Sequence, residues 1–181
     1  MISEGTYKGI LAAYRGSRVI EEIPERLLQL WCEDYYGGNP AAELVTVDLK
    51  DSGTTYTYLF DLTLQRSVST FGVPVFVQHA RDAARMAGHP LSAGSQFHRG
   101  HLMAHSIGGG TDINLVPQLG KLNIGEFRKL ERRVRDMAKQ GQASLYFVRT
   151  IYRDDSQTPN AFEQCVILPN KTLLYSLHRN S

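Results

Sequence analysis

Cysteine is scarce in this chain: two residues, Cys32 and Cys165, in 181. Neither sits in a CxxC pair, which argues against a zinc ribbon, and two isolated thiols do not argue a disulfide. Two buried free thiols are the expectation. No apolar run approaches the roughly 20 residues that cross a bilayer. Between Met1 and Arg18 the residues Glu4, Tyr7, Lys8 and Arg15 leave no apolar block of the kind a secretory leader requires. The expected setting is the cytosol, or export as a toxin-like module by a route that needs no such leader. An excess of one charge is also missing. Lys plus Arg number 20 and Asp plus Glu 18, a formal net charge of +2, so any nucleic-acid surface has to come from local clustering. There is no internal repeat and no low-complexity linker, and the length suits one domain with a core of useful size.

Hydropathy patterning outlines the elements. Residues 1–23 give weak strand signals, best over Tyr7 to Tyr14 and Arg18 to Ile23. Pro24 is positioned to open a short helix with Leu27, Leu28, Leu30 and Trp31 on its apolar side, stopped by Gly37-Gly38-Asn39-Pro40. Residues 42–78 read as β: a strand from Leu44 to Asp48, a turn at Asp51-Ser52-Gly53, a β-branched and aromatic stretch from Thr54 to Leu64, and Val75 to Val77 after a break at Gly72-Val73-Pro74. A short helix is expected from His79 to Ala87. Phe97 to His105 reads as a strand turning at Gly108 to Gly110, and Asp112 to Pro117 as a second short strand. Leu122, Phe127, Leu130, Val134, Met137 and Ala138 follow a helical period. Asn123 is placed to cap that helix with Glu126 three residues on, and Gly141 to end it. Ser144 to Tyr152, Ala161 to Leu168 and Thr172 to Leu177 are β again. The expected class is α+β, with a ββα unit between two stretches of sheet.

The chemistry concentrates in that unit. His98, His101 and His105 fall within eight residues, with Arg99 and Gly100 between the first two. Asn114, Asn123 and Glu131 follow. Phosphodiester hydrolysis needs an acceptor for the proton of an attacking water, positive charge on the phosphate, and help for the leaving oxygen. A histidine titrating near neutrality suits the first task. A divalent ion suits the others, and Mg2+ is held by one or two protein oxygens while keeping several waters. The outer side of the long helix carries Arg128, Lys129, Arg132, Arg133, Arg135 and Lys139, a face that either tracks phosphates or is merely solvated.

Arg99-Gly100-His101, Asn114-Leu115-Val116-Pro117-Gln118, Leu122-Asn123-Ile124-Gly125 and Leu130-Glu131 resemble the DNA/RNA non-specific endonucleases, ββα-metal nucleases marked by a DRGH-like motif. Weaker likeness includes Tyr58 to Arg66 and Tyr152 to Pro159. The resemblance implies a ββα-metal nuclease core with a central, mostly antiparallel sheet flanked by helices, occupying about residues 42–178, with residues 1–40 as an extension packed on it. It implies His101 as general base and Asn123 as ligand of a single metal ion, Mg2+ with Mn2+ as the alternative. Glu131 corresponds to the acid holding the ion's water shell, Asn114 to an asparagine supporting base and substrate, and Arg99 to the motif arginine near the phosphate. Arg66, Arg128 and Arg132 are the candidate phosphate contacts. DNA and RNA are the implied substrates, with no membrane. For a toxin-type member, a cognate inhibitor or immunity protein is the implied partner. The sequence departs from the motif at His98, where the best-known members carry Asp.

Three alternatives remain open on the residues alone. The fold could serve as a catalytically inactive nucleic-acid-binding or protein-interaction module. His98, His101 and His105 could hold zinc for a hydrolase, although Gly100 disfavours the helix such spacing needs. Asn123 could be only a helix cap, and Glu131 only the surface partner of Arg128 or Arg135.

Overall fold

The computed structural model describes residues 2–78 and 95–181, so the expected helix from His79 to Ala87 lies outside the described residues. Two helices come first, α1 (Glu4–Ala13) and α2 (Val19–Gly38). Strands β1 (Leu44–Asp51), β2 (Thr54–Asp61) and β3 (Arg66–Gly72) follow. Next come the short ribbon strands β4 (Phe97–His101) and β5 (Leu115–Leu119), then helices α3 (Gly120–Ile124) and α4 (Glu126–Lys139). Strands β6 (Leu145–Ile151), β7 (Ala161–Ile167) and β8 (Leu173–Arg179) close the chain.

Six strands form one sheet in the order β1-β2-β3-β6-β7-β8, and every neighbouring pair is antiparallel. Its middle strands are buried on both faces, so Leu145-Tyr146-Phe147-Val148 reads as an unbroken apolar run rather than an alternation. Alternate residues serve two different cores. Leu59, Leu145, Phe147 and Cys165 pack against α1 and α2. Tyr58, Tyr146, Val148 and Val166 pack against the ribbon and α4. The ββα unit therefore lies on one face of the sheet and the N-terminal helices on the other. Cys32 and Cys165 are free thiols as expected, but only Cys165 is buried and Cys32 is half-buried.

The first 23 residues correct the strand expectation. Val19, Ile23, Leu27, Trp31 and Tyr35 recur every four residues and are all buried, one continuous stripe along α2. Pro24 sits inside that helix rather than at its start. It forfeits one backbone hydrogen bond, and the apolar stripe on both sides of it carries the helix through. In α1 the buried pair Tyr7 and Leu11 has the same spacing. Tyr7 Oη donates to Glu163 Oε2 at 2.7 Å and accepts from Trp31 Nε1 at 3.1 Å. Glu163 also receives Arg149 Nε at 2.6 Å, so the helix layer is fastened to the sheet by a buried polar knot.

Further adjustments are local. β1 extends to Asp51, past the expected end at Asp48, because a two-residue turn at Ser52-Gly53, both with positive φ, continues the pairing into β2. Val75 to Val77 does not form a strand of the sheet. Its backbone donates instead to Ile107 and Ser106, an arm laid along the ribbon's support. Gly141 ends α4 as expected, with its N–H on Ala138 O and Gln142 N–H on Met137 O.

Candidate active site

The ribbon pairs His98 with Gln118, Arg99 with Pro117, Gly100 with Val116 and His101 with Leu115. Gly100 is the residue that lets the strands close: a Cβ there would lie 2.3 Å from Gln118 Oε1. Asn180 clamps β5 from the far end of the chain. Its Oδ1 accepts from Leu119 N–H at 2.8 Å, and its Nδ2 donates to Pro117 O at 3.0 Å and Pro159 O at 2.7 Å. Nothing local in the sequence marks Asn180, because the contact spans about a third of the chain.

His101 ends β4 half-buried, and the segment behind it is built as a fixed support. Leu102, Met103 and Ile107 are fully buried. Asn114, also fully buried, holds this segment with its amide: Oδ1 accepts from Met103 N–H at 2.7 Å, and Nδ2 donates to Met103 O at 2.8 Å and Gly110 O at 2.7 Å. Tyr56 Oη donates to Ile107 O at 2.5 Å. Gly109 runs so close to the same segment that a Cβ would stand 1.9 Å from Met103 O. This revises one expectation. Asn114, expected to support base and substrate, has no exposed surface of its own and holds the segment that follows His101.

Asn123 is the second revision. It does not cap α4. It lies within α3, and Gly125 takes the N-cap position with no side-chain capping bond. The half-buried Asn123 amide instead faces His98 Nδ1 at 3.4 Å. Glu131 is half-buried on the flank of α4 next to the buried Phe127 and Val134. Tyr146 is held well above the usual phenol range, first by burial and then by the charge of Glu131, which puts that carboxylate toward the sheet. An amide oxygen and a carboxylate are oxygen donors of the kind a small divalent ion takes. These residues fit the ion that the motif implies.

Arg99, midway along β4, is half-buried. At about 100° per residue, Arg128, Arg132, Arg135 and Lys139 fall in one strip roughly 60° wide, adjoining the Glu131 side of α4. Arg128 and Arg132 are exposed, while Arg135 pairs with Asp136 at 2.9 Å.

Arg66 stands elsewhere. It is buried, donates to Tyr35 Oη, Asp154 O, Ser156 O and Asn39 Oδ1 between 2.6 and 3.2 Å, and stacks on Tyr152 at 4.0 Å. This arginine ties β3 to α2 and to the 154–156 loop, and its phosphate-contact expectation is withdrawn. Arg66→Lys should therefore cost about 1–3 kcal/mol in chemical denaturation, from buried acceptors left unpaired. The salt dependence of nucleic-acid binding, measured below the unfolding transition, should not change.

The three-histidine zinc alternative is not formed. Among the described residues no group of three His, Cys, Asp or Glu side chains could hold an ion. His98 and His101 lie three residues apart on β4, roughly 10 Å along the strand, and His105 belongs to the following 3-10 turn.

The fold is shared with known nucleases. Among the solved structures similar in fold is NucA from Streptococcus agalactiae with magnesium bound, at 16% identity over 84% of this chain and 89% of that one, TM-score 0.57. Sda1 nuclease with a bound zinc ion matches at 15% identity over 77% and 84%, TM-score 0.52. A protein described as an extracellular endonuclease matches at 15% identity over 78% and 91%, TM-score 0.51. Among curated protein sequences none matches. The family model described as DNA/RNA non-specific endonuclease matches residues 76–166, half of the chain, and takes in the ribbon, its support, α3 and α4. With that match laid over a His101 on a buried support and an Asn123 released from capping, the chain belongs to the DNA/RNA non-specific endonuclease family and is a nuclease.

Proposed function

We propose that this nuclease is an endonuclease that hydrolyses phosphodiester bonds in DNA and RNA with little sequence preference, dependent on one divalent ion, Mg2+ or Mn2+. The observation that carries the reading is Asn123: a half-buried amide, not used to cap the helix beside it, and facing His98 of the motif strand. Asn123 and Glu131 would hold the ion. Bound there, it would neutralise phosphate oxygens and stabilise the leaving alkoxide. His101 takes the proton of the attacking water. Asn114 keeps His101 in place through the buried Leu102 to Gly110 segment, and Arg99 adds positive charge beside the phosphate. Arg128 and Arg132 gather neighbouring phosphates, which carry no sequence information.

Incubation with covalently closed plasmid and with single-stranded RNA tests the reading. Both should be cut with Mg2+ and neither with excess EDTA. Cleavage that persists in EDTA, or only at one short sequence, would contradict it.

The basic strip makes a separate prediction. The logarithm of affinity for duplex DNA should fall linearly with the logarithm of salt, with a slope near −0.9 per phosphate neutralised. Arg128→Ala and Arg132→Ala should each flatten that slope by about one unit. An unchanged slope in both variants would show that the strip is only a solvated face.

We place this activity outside the producing cell, as a toxin-type effector guarded by a cognate inhibitor protein. The support is the fold shared with an extracellular endonuclease. No helix among the described residues is long and apolar enough to cross a membrane. Expression in a bacterium without a protecting partner should halt growth for the wild type and not for His101→Ala.

A further inference from the structure

His98 is the motif residue that this hydrolysis leaves without a task, yet its imidazole is positioned from two sides. Gly120 lies against the ring: a Cβ at 120 would stand 2.7 Å from Nε2 and 3.0 Å from Cε1. Any other residue there would push the ring aside. The opposite nitrogen, Nδ1, is 3.4 Å from the Asn123 amide. That is long for a hydrogen bond between two nitrogens. It matches two donors sharing one ion, since atoms ~2.1 Å from a metal at a tetrahedral angle are ~3.4 Å apart. A half-turn of the amide about Cβ–Cγ exchanges its nitrogen and oxygen and presents Oδ1 beside Nδ1.

A second observation points to the same place. Gln118 is the cross-strand partner of His98 and so shares its face of the ribbon. Its side chain is only 1% exposed, and both Oε1 and Nε2 lack a hydrogen-bond partner. Buried amides are ordinarily satisfied, and the water shell of an ion at His98 and Asn123 would supply the missing partners. His98 is exposed, so an ion can enter.

We propose that His98 Nδ1 ligates the divalent ion together with Asn123 Oδ1, forming an imidazole–amide pair that binds Mn2+, Co2+ and Zn2+ in preference to Mg2+. The inference rests on the reading of Asn123 as an ion-holding residue. Mg2+ takes oxygen donors and dehydrates reluctantly, whereas imidazole nitrogen favours the later divalent ions.

The test is calorimetric titration of metal-free protein with Co2+ and with Mg2+, joined to pulsed EPR of bound Mn2+ for imidazole-nitrogen coupling. Wild type should bind Co2+ at least roughly tenfold more tightly than Mg2+. His98→Ala should weaken Co2+ binding much more than Mg2+ binding, so removing most of that preference, and abolish the nitrogen coupling. Gly120→Ala, which displaces the ring without removing it, should weaken Co2+ binding in the same direction. His101→Ala should keep both the preference and the coupling, and Asn123→Ala should weaken both ions. If binding requires Asn123 but is indifferent to His98 and shows no imidazole coupling, the inference is overturned and the ion site at Asn123 stands. If no ion binds, or Asn123→Ala changes nothing, that reading falls and the inference falls with it.

Discussion

His101→Ala should lower single-turnover cleavage by at least the 10²–10⁴-fold typical of losing a general base, with no change of fold. Alanine removes the imidazole proposed to accept the proton of an attacking water. The residue is half-buried, and the segment that follows it is held by Asn114 and Tyr56. Circular dichroism and a melting curve close to wild type would establish that the loss is chemical. A folded variant that cleaves at the wild-type rate would remove His101 from the mechanism.

Asn123→Ala should have an effect of similar size and of another kind. Had Asn123 capped α4, alanine would cost about 1 kcal/mol of stability. Gly125 occupies the cap, so the variant should unfold near the wild-type midpoint and still nearly abolish cleavage at ordinary Mg2+. Raising Mg2+ should recover part of the activity, because Glu131 remains. Asn123→Asp should stay folded and shift the metal titration, since a carboxylate replaces a neutral amide. An unchanged Mg2+ titration in folded Asn123→Ala would show that the ion, if there is one, is held elsewhere.

The sequence was most informative where chemistry and local geometry share a short span. Arg99-Gly100-His101, Asn114 and Asn123 lie within one short stretch that the structure folds into the ribbon and its adjoining helices, and the antiparallel sheet, the ββα unit and the Gly141 stop of α4 are legible from residue type and period. It was least informative where tertiary packing overrides a local rule. Pro24 reads as a boundary, and only burial of the four-residue stripe from Val19 to Tyr35 shows one helix running through it. Asn123 and Glu126 have the spacing of a capped helix start, but a glycine two residues on offers the chain a tighter break. Arg66 sits at a strand end, where a phosphate contact is plausible, and its stack on Tyr152 joins positions far apart in sequence. The same holds for Asn180 on β5 and for Gln118 against Gly100. Each is a contact between elements, invisible to any window along the chain.

Hydrolysis by a base on a fixed strand end, with a divalent ion held by Asn123, is tested most directly by one experiment. Covalently closed plasmid, which has no ends, is digested in single turnover across a Mg2+ titration by wild type, His101→Ala and Asn123→Ala. The account predicts nicking and then linearisation by wild type that saturates with Mg2+ and stops in EDTA. His101→Ala should have a rate at least about 10²-fold lower at every Mg2+ concentration, and Asn123→Ala a titration displaced to much higher Mg2+. Cleavage by wild type that is indifferent to EDTA, or two variants that follow the wild-type curve, would contradict it.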